Sequence, residues 1–382
     1  MAETERRTAT IAMPLRYRQG PGVIRELPDI VAGFGKSPRA LLAATAGGLR
    51  RIEEHGFRLD DRRLRAELVE FGGECSEAEI ERLKREAERA GADVVVGIGG
   101  GKLLDAAKSA AYRLNLPVVI VPTIAASDAP CSALSVIYDE NGRVVKLETH
   151  PRNPDVVLVD TEIIVRAPIR YLAAGMGDAL ATAPEALACL RGGGRTILGA
   201  YPSRLGTAAA ELCGRILAED GVRAYRDAER GELTDAFERV VEANTLLSGI
   251  GFESGGLAAA HSLHDGLTEL PECHGLLHGE KVGFCTAVQA VLLGEPDEAV
   301  RFLRFCREIR LPASLADIGL AAGPNGGGIR SRLLLAGERA IAPEETIHSV
   351  GRPFTAAEIA DAFEETDRLA RLVISPAERT EA

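Results

Sequence analysis

Asp93-Val-Val-Val-Gly-Ile-Gly-Gly-Gly-Lys-Leu-Leu-Asp105 reads as a buried strand, a glycine turn and a helix start within thirteen residues. Gly99, Gly100 and Gly101 permit close backbone approach, and the free amides of the following helix start suit a pyrophosphate. A bare tight turn is the alternative reading. Neither the G-x-G-x-x-G spacing nor the Gly-Lys-Ser/Thr of a P-loop is present. Lys102 is placed either to screen phosphate charge or to solvate the helix end. Asp105 is placed to hold a cofactor hydroxyl or to organise the turn.

Outward from this stretch, Ala40-Leu-Leu-Ala-Ala44, Val118-Val-Ile-Val121 and Val156-Val-Leu-Val159 repeat the signature of a short buried strand. Helical segments fall between them. Ser76 and Glu79 have capping-box spacing at the head of a helix running to about Gly91, and Lys102 to Tyr112 is alanine-rich. Strand and helix in alternation predict a parallel sheet with helical crossovers. Thr123-Ile-Ala-Ala-Ser-Asp-Ala-Pro130 follows the strand ending near Val121, at the edge where an open parallel sheet presents ligands. Asp128 there is either an acceptor for a substrate hydroxyl or a turn cap.

Beyond about Pro168 the texture changes to long Ala/Leu/Glu-rich segments near 204–219, 232–250, 278–293 and 296–309. Arg191-Gly-Gly-Gly-Arg195 and Gly323-Pro-Asn-Gly-Gly-Gly328 read as loops, because glycine and proline both oppose a helix interior. The predicted fold is an α/β nucleotide-binding domain with a parallel sheet over 1–166, followed by an all-helical metal- and substrate-binding domain over 167–382. A chain of 382 residues with 46% apolar composition can bury such cores. Its 56 acidic against 45 basic residues give a formal charge of -11, which opposes attraction to nucleic acid or anionic membrane. Seven cysteines without a C-x-x-C pair fit a reducing compartment. With no apolar signal segment and no run of bilayer length, a cytoplasmic location is expected.

His261, His264, His274 and His278 fall within eighteen residues of a chain with seven histidines. The first two are spaced i,i+3 and the last two i,i+4, so each pair shares a face wherever its segment is helical. Asp265-Gly-Leu-Thr-Glu-Leu-Pro271 breaks any continuous helix and lets one member of each pair meet across a bend. Two imidazoles and one acid suit zinc with a coordination position left for an alcohol or carbonyl oxygen. Core hydrogen bonding and a structural metal are the competing readings. Asp178, in Gly175-Met-Gly-Asp178, is a candidate third ligand, or else a helix N-cap.

Six motifs carry a resemblance over nearly the whole chain. They are Gly99-Gly-Gly-Lys102, Pro122-Thr-Ile-Ala-Ala-Ser-Asp-Ala-Pro-Cys-Ser132, Asn153-Pro-Asp-Val-Val-Leu-Val-Asp-Thr161, Glu242-Ala-Asn-Thr-Leu-Leu-Ser248, Gly251-Phe-Glu-Ser-Gly-Gly256 and His278-Gly-Glu-Lys281. In this order the chain resembles the glycerol dehydrogenase branch of the iron-containing, or type III, alcohol dehydrogenase family. The resemblance implies NAD-linked oxidation of glycerol to dihydroxyacetone, or of a similar small diol, at a metal site in an interdomain cleft. It implies Asp178, His261 and His278 as ligands of one divalent metal, zinc being favoured. Asp128 is implied as the substrate-contacting acid, and His264 as a supporting group or proton relay. It further implies Gly99, Gly100, Gly101, Lys102, Asp105, Thr123, Ser132, Leu134 and Tyr138 as cofactor-binding positions, Phe252 at the substrate cleft, and a homo-oligomer with an octamer as one form.

Two departures stand out. Many relatives carry an acidic residue after the first strand to engage the adenosine ribose, whereas this chain has Thr45; NAD is favoured with NADP use open beside it, and Arg50 and Arg51 read first as solvated surface residues and otherwise as partners of a 2'-phosphate. Ala183-Pro184 stands where relatives place a bulky aromatic, and Pro184 disturbs a helix unless it lies in the first turn. Two other functions compete: a metal- and nicotinamide-using sugar-phosphate lyase or cyclase, disfavoured because the candidate cleft motifs offer few arginines or lysines beyond Lys102, and a catalytically silent nucleotide-binding homologue.

Overall fold

The computed structural model describes residues 7–139, 143–320 and 328–373. It divides into two compact units: residues 12–172 with 226–249, and residues 1–11 with 173–225 and 250–382. The first is called the sheet unit here and the second the helical unit. Where contiguous domains over 1–166 and 167–382 were expected, the stretch 226–249 groups with the sheet unit. Most of the loop expected at Gly323–Gly328 lies outside the described residues.

The strands are β1 (Arg16–Gly20), β2 (Arg39–Ala44), β3 (Arg65–Glu70), β4 (Val94–Gly99), β5 (Val118–Pro122), β6 (Leu134–Tyr138), β7 (Val144–Thr149) and β8 (Val156–Asp160). Six of them form one sheet in the order β1-β8-β5-β4-β2-β3, every pairing parallel. Register runs from Leu42 to Val96 and from Val96 to Val119, so the Val- and Ile-rich centres lie side by side. β4, β5 and β8 are buried along their whole length, as strands covered by helices on both faces must be. Gly97 allows that close covering: a Cβ there would stand 2.7 Å from the Ala107 side chain. β6 and β7 form a separate antiparallel pair.

Between β3 and β4, Ser76 caps the Glu77–Ala90 helix by accepting from the Glu79 amide at 3.3 Å. The expected reciprocal half of the capping box is missing, because Glu79 accepts instead from the Gly72 amide at 2.8 Å and pairs with Arg82. Gly91, at φ 60°, ends the helix in the left-handed conformation that favours glycine.

The described part of the helical unit is built from helices, the main ones being Ile169–Gly192, Arg204–Glu229, Ser248–Gly255, Ala259–Thr268, His278–Leu292, Pro296–Glu308, Ile329–Ala340 and Ala356–Leu372. Glycines set how closely they cross. A Cβ on Gly279 would lie 1.8 Å from the Ala174 carbonyl oxygen, and one on Gly177 would lie 2.2 Å from that of Gly279. Two helices therefore touch backbone to backbone beside Asp178 and His278. Among the described residues no helix is long and apolar enough to cross a membrane.

Candidate functional site

At the carboxyl edge of the sheet, the Thr123 amide donates to the Gly99 carbonyl at 2.9 Å and ties the loop after β5 to the glycine turn after β4. Gly100 precedes the Gly101–Arg113 helix without any side-chain cap; its carbonyl accepts from the Leu103 and Leu104 amides at 3.0 and 3.1 Å, and the amides of Gly101 and Lys102 head the helix as groups suited to an anion. The side chains around this turn serve one another. Exposed Lys102 pairs with Glu74 at 2.6 Å and lies over the Tyr138 ring, while buried Asp105 accepts from the Val136 amide at 3.0 Å and pairs with Lys108 at 2.9 Å. Burial pushes the Asp105 carboxyl upward against the pull of Lys108. These partners tie the helix after the glycine turn to β6.

Lys108, fully buried, was not singled out from the sequence, yet it anchors this edge. Its ammonium donates to the carbonyls of Ala129 (2.9 Å), Ser132 (3.2 Å) and Leu134, shaping the loop that carries Ser132 and Leu134. The signal was a lysine three residues after Asp105 on an alanine-rich face. Asp128 accepts from Ser248 Oγ at 2.9 Å, at the end of a π-helical turn over Ala243–Leu247. Asn244 within that turn donates to the Ala125 carbonyl at 3.3 Å, which explains part of the Glu242–Ser248 motif. Thr45 caps the Ala46–Glu54 helix by accepting from the Gly48 amide at 3.0 Å.

In the helical unit, donor atoms of Asp178, His261 and His278 all lie within 4.8 Å of one another, the one such group among the described residues. Asp178 sits in the interior of the Ile169–Gly192 helix, which removes the N-cap reading. Pro184 also lies inside that helix rather than in its first turn, so the amide that would bond the Leu180 carbonyl is absent. His261 belongs to the Ala259–Thr268 helix, and His278 opens the next long helix, whose first turn is fixed by Glu280 accepting from the Leu277 amide at 2.7 Å. His274 lies just past a short 3-10 turn and bonds the Thr268 carbonyl with Nε2, outside the cluster. Phe252 is buried in the Ser248–Gly255 helix.

Nε2 of His278 lies 3.1 Å, and Nε2 of His261 3.5 Å, from Oδ1 of Asp178. Ligands about 2.0–2.2 Å from a tetrahedral zinc stand roughly 3.3–3.5 Å apart, so this N2O set fits such an ion. Burial opposes ionisation of Asp178, but His278 and His261 hold its carboxyl well below the usual range. Both ligand rings are gripped from behind. His278 Nδ1 meets His264 Nε2 at 3.1 Å, and His264 Nδ1 meets Asp265 at 2.9 Å. Burial and His278 push His264 down to about 3, so at neutral pH its uncharged ring accepts the Nδ1 proton of His278 and donates to Asp265. Behind His261, Glu185 Oε2 lies 2.5 Å from Nδ1; burial opposes a charge on this ring, but Glu185 and Asp178 raise its pKa well above the ordinary value.

Residues 14–161 match the family described as iron-containing alcohol dehydrogenase. A glycerol dehydrogenase of Thermotoga maritima is 46% identical over 95% of this chain and 98% of its own length. A glycolaldehyde reductase of Halobacterium salinarum is 41% identical over 96% of this chain and 99% of its own. The crystal structure of a probable glycerol dehydrogenase from Sinorhizobium meliloti superposes with a TM-score of 0.88 at 38% identity, covering 96% of this chain and all of that one.

Proposed function

The chain belongs to the iron-containing alcohol dehydrogenase family and is an oxidoreductase, and from that premise we propose that it oxidises glycerol to dihydroxyacetone, or a closely similar diol, with NAD as hydride acceptor. The family binds NAD and depends on a metal. The observation that carries the reading is the convergence of Asp178, His261 and His278, whose N2O donor set suits zinc with one position left open. A divalent ion held there would lower the pKa of a bound hydroxyl and stabilise developing negative charge.

The protein's own groups do the rest. Asp128, fixed by Ser248, accepts a hydrogen bond from a second substrate hydroxyl and sets which carbon presents its hydrogen. His264, behind the His278 ring, keeps Nε2 of that ligand free to ligate. Gly99 to Gly101 and the amides after them receive the pyrophosphate, with the loop through Thr123, Ser132, Leu134 and Tyr138 beside them. A nicotinamide held there would supply the acceptor for one hydride from the carbinol carbon, and one hydroxyl proton would pass to solvent. Thr45 presents no carboxylate to the adenosine ribose, so NADP is accepted beside NAD. A homo-oligomer is the proposed assembly.

The test is NADH formation from glycerol, with glycolaldehyde reduction measured in parallel, on protein stripped of metal and then titrated with zinc. Activity should disappear while the fold persists, return at one zinc per chain, and stay low in Asp178→Asn. NADP should serve at a rate within about tenfold of NAD, and Thr45→Asp should widen that gap. A folded, metal-free protein with ordinary turnover contradicts the reading.

A further inference from the structure

Glu185 lies seven residues after Asp178 on the same helix, about two turns on, so both carboxylates face one side. It is fully buried. One oxygen, Oε1, accepts from the amides of Ala258 (3.0 Å) and His261 (3.1 Å), and the other, Oε2, meets His261 Nδ1 at 2.5 Å. The amides of Ala259 and Ala260 are taken by Gln289 Oε1, at 2.8 and 2.9 Å. Gln289 lies eleven residues after His278, about three turns along the same helix. The helix bearing His261 has no side-chain cap of its own. Its orphan amides are instead satisfied by the two helices that carry the other candidate ligands.

We propose that Glu185 is the positioning residue of the metal centre, clasping the His261 ring between itself and Asp178 and holding the Nδ1 proton so that Nε2 is the ligating nitrogen. The inference rests on the metal reading above. Oε1 is committed to two backbone amides, so the carboxylate cannot turn without stranding buried donors. Oε2 is thereby pinned against Nδ1 and accepts its proton. Gln289 anchors the same helix end but touches no ring, which separates anchoring from tautomer control.

Glu185→Gln isolates the second role. The amide oxygen must stay on the two backbone donors, because the flipped form would set NH2 against N–H. The NH2 then points at Nδ1, which must become an acceptor, and the ring proton moves to Nε2, where it competes with the metal. Zinc affinity is measured on the full-length protein by competition with a chromogenic chelator. The d–d spectrum of bound cobalt and thermal unfolding of the metal-free protein are recorded beside it. Glu185→Gln should weaken zinc by about 10- to 100-fold and alter the cobalt spectrum, with the metal-free melting temperature nearly unchanged. Gln289→Leu should lower that melting temperature with less than a threefold effect on zinc. Glu185→Asp, which keeps the charge but retracts it by one methylene, should also weaken zinc, and it decides the question if Glu185→Gln does not fold. Zinc affinity within about threefold of wild type in the folded Glu185 variants overturns the proposal. So does a Gln289→Leu loss as large as that of Glu185→Gln. A wild type that fails to take up one zinc per chain overturns the metal reading itself, and this inference with it.

Discussion

An added Cβ on Gly101, in the glycine turn after β4, would meet nothing closer than Ala129 Cβ at 3.9 Å, whereas one on Gly279, beside His278, would stand 1.8 Å from the Ala174 carbonyl. The two glycines flank sites built by different means. In the sheet unit the proposed binding groups are backbone amides at a helix start, and the nearby side chains of Lys102, Asp105 and Lys108 are occupied with Glu74, one another and the loop carbonyls. In the helical unit the proposed binding groups are side chains from three helices, and close packing brings them within reach. A backbone site is written in one short stretch of chain. A side-chain site is assembled by packing between distant stretches and inherits its tolerances.

Substitution breaks or sharpens this contrast. Gly279→Ala forces two helix backbones apart at Asp178, and a loss of about 3 kcal/mol or more of stability is expected, with metal affinity falling alongside. Gly101→Ala meets only ordinary contacts, so urea unfolding should match wild type to about 0.5 kcal/mol while the Michaelis constant for NAD rises. Equal destabilisation by both changes would erase the distinction.

A smaller effect concerns pH in the sheet unit. His150 Nε2 bonds Ser135 Oγ at 2.8 Å, and burial, then the charge of Lys108, lowers its pKa to about 4 from the ordinary 6.5. The folded state therefore prefers the neutral ring. Stability from this group is complete above about pH 6.5 and is lost as pH falls toward 4, because the unfolded chain takes up the proton first. After allowance for partial exposure, the loss between about pH 7.5 and 5 is on the order of 1 kcal/mol. His150→Gln should flatten the pH dependence of urea unfolding by that amount, and an unchanged slope would remove His150 as its source.

The same contrast governs how much was legible in the sequence. The β2, β4, β5 and β8 cores were visible because strands buried on both faces become continuous apolar runs. β1 and β3 were not, since Arg16–Gly20 and Arg65–Glu70 are polar edge strands whose pairing is set by their neighbours. The exposed β7 likewise lacks a buried face to pattern it. Around the metal centre, family motifs pointed to Asp178, His261 and His278, but helix arithmetic also offered His274, which a 3-10 turn at Pro271–Cys273 sets apart. Glu185 went unseen because its partners, Ala258 and His261, are 73 and 76 residues away in the chain. Its only local sign was a two-turn spacing from Asp178.

The central claim is that three side chains of the helical unit hold one catalytic metal. Anomalous diffraction at the zinc edge, on crystals of zinc-loaded wild-type protein, tests it directly. The account predicts one peak per chain, about 2.0–2.2 Å from Asp178 Oδ1, His261 Nε2 and His278 Nε2, with a further position open to solvent or substrate. A peak elsewhere, or zinc held through Nδ1 of His261, would contradict it.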